Sequence, residues 1–362
     1  MDLLFEEMGF SHADPVEGIK RLGRVRAVSR GARKVLVIGA QGALGRLCVP
    51  ALRNAGFDVI RAGRRPESAS DFRLIDLDKV DSIPEDCADA DLVISMVNDS
   101  RRTVERLVLR NGGAMFSLMI TPSERSQVKA LGEGAKGLVV TDVGLGPGIT
   151  NLVLKDLLIK YPETDCLEGA GTFSVLEPTG RATAEEFSYP GLTSAGRHPT
   201  AMVEFPEPFG RRRCIEFRHA DIGPGLFGDV SQRLPVRFYG YTLERAVNAS
   251  TLALNSLGLL SKLPLALFTV GSDRRAASTV AKPQCHVCAV LRDGRRLAAT
   301  AVMGRGNFAM TADATAVMAE NLLARRDKGE SPTGVLSVED VFDLSELTPG
   351  LERRGIRIAE MG

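Results

Sequence analysis

The feature that most restricts what this chain can fold into is an apolar run that ends in a glycine turn. Lys34-Val-Leu-Val-Ile-Gly39 is hydrophobic without alternation, the pattern of a strand covered on both faces, as in parallel sheets. Gly42 and Gly45 follow. Leu47, Val49, Ala51 and Leu52 then take helical spacing up to Asn54-Ala55-Gly56, where Gly56 suits a helix C-cap. Phe57-Asp58-Val59-Ile60 begins a second strand. Strand, helix and strand within about 30 residues make a βαβ unit, whose crossover is right-handed almost without exception. Short strands are expected again at Phe72–Ile75, Asp91–Met96, Ala114–Met119 and Gly137–Thr141. Residues 34–150 therefore read as a doubly wound parallel α/β domain.

A chain of 362 residues is long enough for two domains at about 150 residues each, and the pattern changes after residue 150. Gly169–Leu176, Ala201–Phe205, Arg213–His219, Val236–Tyr241, Gln284–Arg292 and Arg296–Met303 alternate and are rich in β-branched or aromatic residues. Asp293-Gly294, between the last two, is a hairpin signal. Helices are expected over 242–260 and 311–326. A second, mixed α+β domain over 151–309 follows, for substrate binding or dimerisation. Residues 310–362 are expected as C-terminal helices that return to pack on the first domain. Residues 1–33 read as an N-terminal extension. Its basic residues (Lys20, Arg21, Arg24, Arg26, Arg30, Arg33 and the adjoining Lys34) would suit a nucleic-acid or membrane arm. Ile19, Leu22, Val25 and Val28 at three-residue spacing favour instead a helix lying on the body.

Charge and composition exclude several classes. Forty-six basic against 45 acidic residues leave a net charge of +1, which argues against a polyanion-binding surface. No apolar run reaches the ~18 residues needed to cross a bilayer. Six cysteines, irregularly spaced, are too few for a disulfide framework. The start, MDLLFEEMGF, carries acids where a secretory signal would carry lysines. A cytoplasmic protein with a small-molecule substrate, and neither nucleic acid nor membrane as partner, is expected. A homodimer is left open.

The turn Gly39-x-x-Gly42-x-x-Gly45 carries the main chemical signal, with Gln41, Ala43 and Leu44 lining it. In a dinucleotide site the first glycine permits the tight turn, the second lets backbone approach a pyrophosphate, and the third lets helix and strand pack closely. The helix start then offers N–H groups and a positive dipole end to phosphate. The end of the second strand reads Ile60-Arg61-Ala62-Gly63-Arg64-Arg65, with no carboxylate before Glu67. An acid there would bind a ribose 2′-hydroxyl and repel a 2′-phosphate, whereas a guanidinium fork suits the phosphate. NADP is therefore the expected cofactor, with Arg64 the first contact and Arg65 the second. Asp76 is placed near the adenine. Asn98, Ser117 and the stretch Gly144–Gly148 should line the crevice at the carboxyl ends of the strands; Asn98, Gly144 and Gly146 are read as cofactor contacts, Ser117 and Pro147 as substrate contacts.

Together with the glycine turn, Thr141-Asp142-Val143-Gly144-Leu145-Gly146-Pro147-Gly148-Ile149-Thr150-Asn151, Gly304-Arg305-Gly306 leading into Thr311–Leu323, and the closing Gly334-Val335-Leu336-Ser337-Val338-Glu339 resemble saccharopine dehydrogenase-like oxidoreductases. The resemblance runs from about residue 34 to the C-terminus. It implies an NADP-binding Rossmann-type domain and a mixed-sheet domain that covers the nicotinamide, with reactions at C–N and, in some relatives, C=C bonds. The chain also departs from the family. Saccharopine-handling members tend to carry Asp where Ser117 stands, and Asp is common where Gly146 sits. The resemblance thus implies the chemistry but a different substrate.

Acid/base groups are few, because the chain has only four histidines. His12 lies in the extension and His286 mid-strand, which leaves His198 and His219 as candidate proton donors. Arg197, Arg218 and Arg237 suit a carboxylated substrate, with Arg197 the nearest candidate contact. Cys285-His286-Val287-Cys288 lacks the partners of a zinc site, and its cysteines should point to opposite faces of a strand, so no metal is expected. No Tyr has Lys four residues on, and neither a Gly-x-Ser-x-Gly elbow nor a Gly-Lys-Ser/Thr loop is present. Three functions remain. The first is an NADPH-dependent reductase of an imine, iminium or activated double bond; the second is an enoyl-type C=C reductase of a larger apolar substrate; the third is an NADPH-binding regulatory protein.

Overall fold

The computed structural model describes residues 32–79, 86–118, 124–177, 183–218, 227, 234–269 and 281–362. Among them the strands are β1 (Lys34–Ile38), β2 (Asp58–Gly63), β3 (Phe72–Leu74), β4 (Leu92–Ser95), β5 (Ala114–Ser117), β6 (Leu138–Thr141), β7 (Cys166–Phe173), β8 (Thr200–Glu204), β9 (Arg211–Glu216), β10 (Val236–Thr242), β11 (Pro283–Arg292), β12 (Arg295–Arg305), β13 (Gly334–Ser337) and β14 (Arg357–Met361). The longer helices are α1 (Gly45–Asn54), α2 (Thr103–Asn111), α3 (Thr150–Lys160), α4 (Arg245–Leu257), α5 (Asn307–Asp327) and α6 (Leu344–Arg353). The N-terminal extension falls almost wholly outside the described residues. No helix among them is long and apolar enough to cross a membrane.

The first sheet has the order β13-β6-β5-β4-β1-β2-β3, with every pairing parallel. It is a doubly wound, Rossmann-type sheet whose winding reverses between β1 and β4. Val35 and Val37 pack with Leu52 of α1, Leu322 of α5 and Leu351 of α6 on one face. Leu36 and Ile38 pack with Val104 and Val108 of α2 on the other. Both faces of β1 are covered, which is why its sequence is continuously apolar and does not alternate.

The second sheet has the order β14-β12-β11-β7-β10-β9-β8. Only β7 and β10 pair in parallel; the other neighbours are antiparallel. The β11–β12 hairpin turns on Asp293 and Gly294, both at positive φ (49° and 72°), as the primed turns that match strand twist require. Helix α3 leaves the end of the first sheet and packs on β11 and β12, so one hydrophobic cluster runs through both sheets.

Residues 310–362, expected as helices that return to the first domain, also contribute a strand to each sheet. Helix α5 packs along α1, and β13 extends the parallel sheet beside β6, but β14 pairs antiparallel with β12 in the second sheet. An edge strand presents an unpaired row of N–H and C=O groups, and β14 covers that row on β12. Helix α5 also starts at Asn307, four residues before the expected Thr311, and α4 is shorter than the expected 242–260.

Candidate active site

The turn from β1 into α1 has the shape of a phosphate cradle. Gly39 takes φ 88°, and a Cβ there would lie 2.8 Å from the Val97 side chain. A Cβ on Gly45 would fall 2.3 Å from the Gly39 carbonyl oxygen and 2.6 Å from Ala40 Cα, so the helix start rests directly on the turn. Gly42 between them is exposed and would meet only the Gly39 oxygen, at 3.2 Å. No side chain caps α1, and no acid lies in its first turn. The Arg46 and Leu47 N–H groups bond back to the Gly42 and Leu44 carbonyls, so what the helix start offers an anion is its positive dipole end. This geometry fits a nucleotide pyrophosphate.

Four arginine positions adjoin the end of β2, and they divide cleanly. Arg61 is held by Asp71 (Nη2 to Oδ1 2.9 Å, Nε to Oδ2 3.0 Å) and by Glu67 at 2.6 Å, and Arg53 also reaches Asp71. The hydrogen bonds from Arg61 pull the Asp71 carboxyl down to about 2. Arg61 and Arg53 are therefore structural. Arg64 and Arg65 are exposed on the turn. Gln41 fixes that turn, donating from Nε2 to the Arg65 carbonyl at 2.9 Å, and it rests on Gly63, where a Cβ would meet Gln41 Oε1 at 2.6 Å and push the side chain aside. Asp76 accepts the Asp78 N–H at 3.2 Å and pairs with Lys79 at 3.6 Å, a turn role.

At the ends of β4 to β6 the structure places Asn98 exposed, and Gly146 and Pro147 half-buried. Gly144, at φ 143°, abuts α5: a Cβ would lie 2.9 Å from Thr311 Cγ2. Asp142 orients this loop through a buried pair with Arg125 and a hydrogen bond from Thr141 Oγ1 at 3.2 Å. Asn151 closes it by accepting the Gly148 N–H at 3.1 Å. Ser117 is buried, and its hydroxyl donates to Glu105 Oε1 at 3.3 Å. Glu105 also meets Arg102 at 3.4 Å, yet its Oε2 has no hydrogen-bond partner. Burial pushes its carboxyl above the ordinary range. A carboxylate is therefore present beside the serine, carried by a helix in place of the strand. Nothing in the sequence marked Glu105.

The ends of β7 and β10 and the start of β11 hold a polar cluster. Glu244, after β10, accepts Lys282 Nζ at 2.8 Å, Ser174 Oγ at 2.7 Å and the Val175 N–H at 2.9 Å. Burial would raise the Glu244 carboxyl, but these donors hold it below its ordinary value. Glu177 accepts from Gln284 Nε2 and from the Asn307 N–H that opens α5. His286 Nε2 lies 2.8 Å from Asn307 Oδ1, and burial holds its imidazole below the ordinary range. Phe173, Phe187, Phe217 and Phe238 pack ring to ring beside it, at centroid distances of 5.6–6.3 Å. Lys282 and Glu244 were not singled out by sequence, because the pair closes across 38 residues.

Of the two histidines expected from the sequence, His198 is described. The His198 ring is buried, with Nδ1 2.9 Å from the Glu216 carbonyl and Nε2 3.1 Å from the Ala195 carbonyl. It ties the end of β9, three strands from β11, to the loop before the edge strand β8. His219 lies outside the described residues. Arg197 is exposed against Gly258 at the end of α4, and Arg218 pairs with Glu216 at 3.3 Å. Cys285 and Cys288 belong to different hydrophobic clusters on opposite faces of β11. Among the described residues no group of His, Cys, Asp and Glu could hold a metal ion.

No family model matches the chain, and no curated protein matches it. Solved structures do. Apo saccharopine dehydrogenase (L-Glu forming) from Saccharomyces cerevisiae superposes with a TM-score of 0.56 at 12% identity, over 91% of this chain and 100% of that one. The fold is that of saccharopine dehydrogenase. A meso-dapdh mutant from Clostridium tetani E88 gives a TM-score of 0.46 at 11% identity, covering 87% of this chain and 96% of that one. A probable dehydrogenase from Thermotoga maritima gives 0.43 at 10% identity, covering 90% and 98%. The resemblance to saccharopine dehydrogenase read from the sequence thus holds in the fold.

Proposed function

We propose that this chain is an NADPH-dependent oxidoreductase that reduces an imine, iminium or activated double bond of a small organic substrate other than saccharopine. The observation that carries the reading is the uncapped start of α1 seated on Gly39, Gly42 and Gly45, a cradle that a Cβ would fill. Reduced nicotinamide, when bound, supplies a hydride. The chain's own residues do the rest. The N–H groups of the turn take the pyrophosphate, Gln41 holds the loop that presents Arg64 and Arg65 to a 2′-phosphate, and Gly144–Gly148 border the reacting end, while the Ser117 hydroxyl is turned onto Glu105. The second sheet excludes water from that end, and positioning with water exclusion can carry much of a hydride transfer.

The phenylalanine cluster favours a second reading, a C=C reductase of a larger apolar substrate. Phe173, Phe187 and Phe217 remain partly exposed on the face of the second sheet that shares the main core, and flat unsaturated groups stack on such rings.

Calorimetric titration tests the cofactor. NADPH should bind at least ten times tighter than NADH, about 1.4 kcal/mol. Arg64→Ala should remove most of that difference while NADH binding stays nearly constant. Equal losses for both nucleotides would refute the 2′-phosphate assignment.

A further inference from the structure

We propose that Lys282 is the proton donor of this reduction and that Glu244 positions it, an inference that rests on the nucleotide-dependent reading above. Lys282 precedes β11, and its carbonyl accepts the Gly306 N–H at 2.9 Å. Its place is therefore set by the turn that opens α5. Five residues on, about 7.5 Å along the axis, Thr311 closes against Gly144 of the crevice loop. Lys282 thus sits at the start of the helix that borders the crevice loop.

The pair is built with the carboxylate inside and the ammonium outside. Side-chain exposure is 14% for Glu244 and 35% for Lys282. Donors from Ser174 and Val175 hold Glu244 in one orientation, so Lys282 Nζ is aimed by a fixed carboxylate at 2.8 Å. One of the three ammonium N–H bonds is directed at Glu244, and two can reach a substrate. Lysine also gives up a proton as arginine does not.

The two described histidines, Glu177 and four of the thiols are engaged elsewhere. The His198 ring faces two backbone carbonyls, and His286 is buried against Asn307 and Phe173. Glu177 receives the Gln284 amide and the Asn307 N–H. The thiols of Cys48, Cys214, Cys285 and Cys288 are buried, which keeps them protonated.

The proton balance is simple. As the substrate carbon accepts hydride, the C=N π pair moves to nitrogen. That nitrogen takes a proton from Lys282 Nζ, whose N–H bond breaks to leave a neutral amine. Solvent then returns a proton to the amine. The substrate is reduced by two electrons, and NADPH is oxidised to NADP⁺.

Two measurements on the full chain test this. Acetic anhydride footprinting read by mass spectrometry should show NADPH slowing acetylation of Lys282 at least about fivefold, with the surface residue Lys262 unchanged as an internal reference. Glu244→Gln should speed acetylation of Lys282 in the absence of nucleotide, because the ammonium is no longer held. With 2-methyl-1-pyrroline as probe, Lys282→Arg should keep NADPH affinity and KM within about threefold while kcat falls about 100-fold, the usual scale for losing a proton donor. A kcat above a tenth of the parent value would show that only charge is needed and overturn the proposal. Normal NADPH binding that leaves Lys282 unprotected would overturn it alone. Absence of NADPH binding to the parent protein would overturn both readings, since the donor would have no reduction to serve.

Discussion

Gly42 and Gly45 lie three residues apart in the same turn, yet a methyl group at each should do opposite things. At Gly45 the new Cβ would meet the Gly39 carbonyl oxygen at 2.3 Å and Ala40 Cα at 2.6 Å. Both are backbone atoms, so no rotamer change relieves the clash and α1 must move. Helix α1 packs along α5, and the shift would disturb that interface too. Overpacking of this kind costs about 1–3 kcal/mol, and backbone contacts place Gly45→Ala at the upper end, about 3 kcal/mol. At Gly42 the Cβ would meet only one oxygen, at 3.2 Å, and the residue is exposed. Folding should then change by less than about 0.5 kcal/mol, as for most surface substitutions. The methyl would occupy space that the pyrophosphate needs, so NADPH binding should weaken at least tenfold, about 1.4 kcal/mol. Urea unfolding followed by circular dichroism, with calorimetric titration of the same samples, separates the two effects. Gly42→Ala with unchanged NADPH affinity would show that the turn is no phosphate cradle. Gly45→Ala as stable as the parent would refute the packing argument.

Two titrating groups give further tests. Burial lowers the His286 pKa, so the unfolded chain binds more protons and stability is lost as pH falls from about 6.5 towards the folded value. His286→Gln should flatten the urea midpoint between about pH 7 and 5; an unchanged slope would assign the pH dependence elsewhere. Burial raises the Glu105 pKa, so its contribution is present below the unfolded value and is lost as pH rises through the folded one. Glu105→Gln keeps a partner for Ser117 and removes a buried charge with an unpaired oxygen. It should therefore gain up to about 1 kcal/mol at pH 8 relative to pH 5, and a loss at pH 8 would show the charge is needed.

What could be read from the sequence follows the range of the interactions involved. The β1–turn–α1–β2 unit was legible because both faces of β1 are buried and because the glycines have local steric reasons. The Asp293-Gly294 hairpin was legible for the same kind of reason: its backbone angles are set by those two residues. Arg64 and Arg65 could be distinguished from Arg61 only in three dimensions, since Asp71 and Glu67 must fold back to reach Arg61. His198 looked available in a polar stretch, but strand β9 brings the Glu216 carbonyl to its ring. Glu105 stands in the first turn of a helix, where an acid is ordinary, and its meeting with Ser117 depends on the α2–β5 packing.

The sequence by itself determined the parallel α/β domain, the place of the glycine turn, and the opposite facing of Cys285 and Cys288, because each follows from spacing within about 30 residues of chain. Tertiary structure alone decided that the C-terminal segment contributes a strand to each sheet and that Lys282 meets Glu244 beside the start of α5. It also decided that a carboxylate reaches Ser117 from a neighbouring helix. Those outcomes are long-range, and hydrogen bonds and ion pairs between distant residues exist only once both sheets have closed on a shared core.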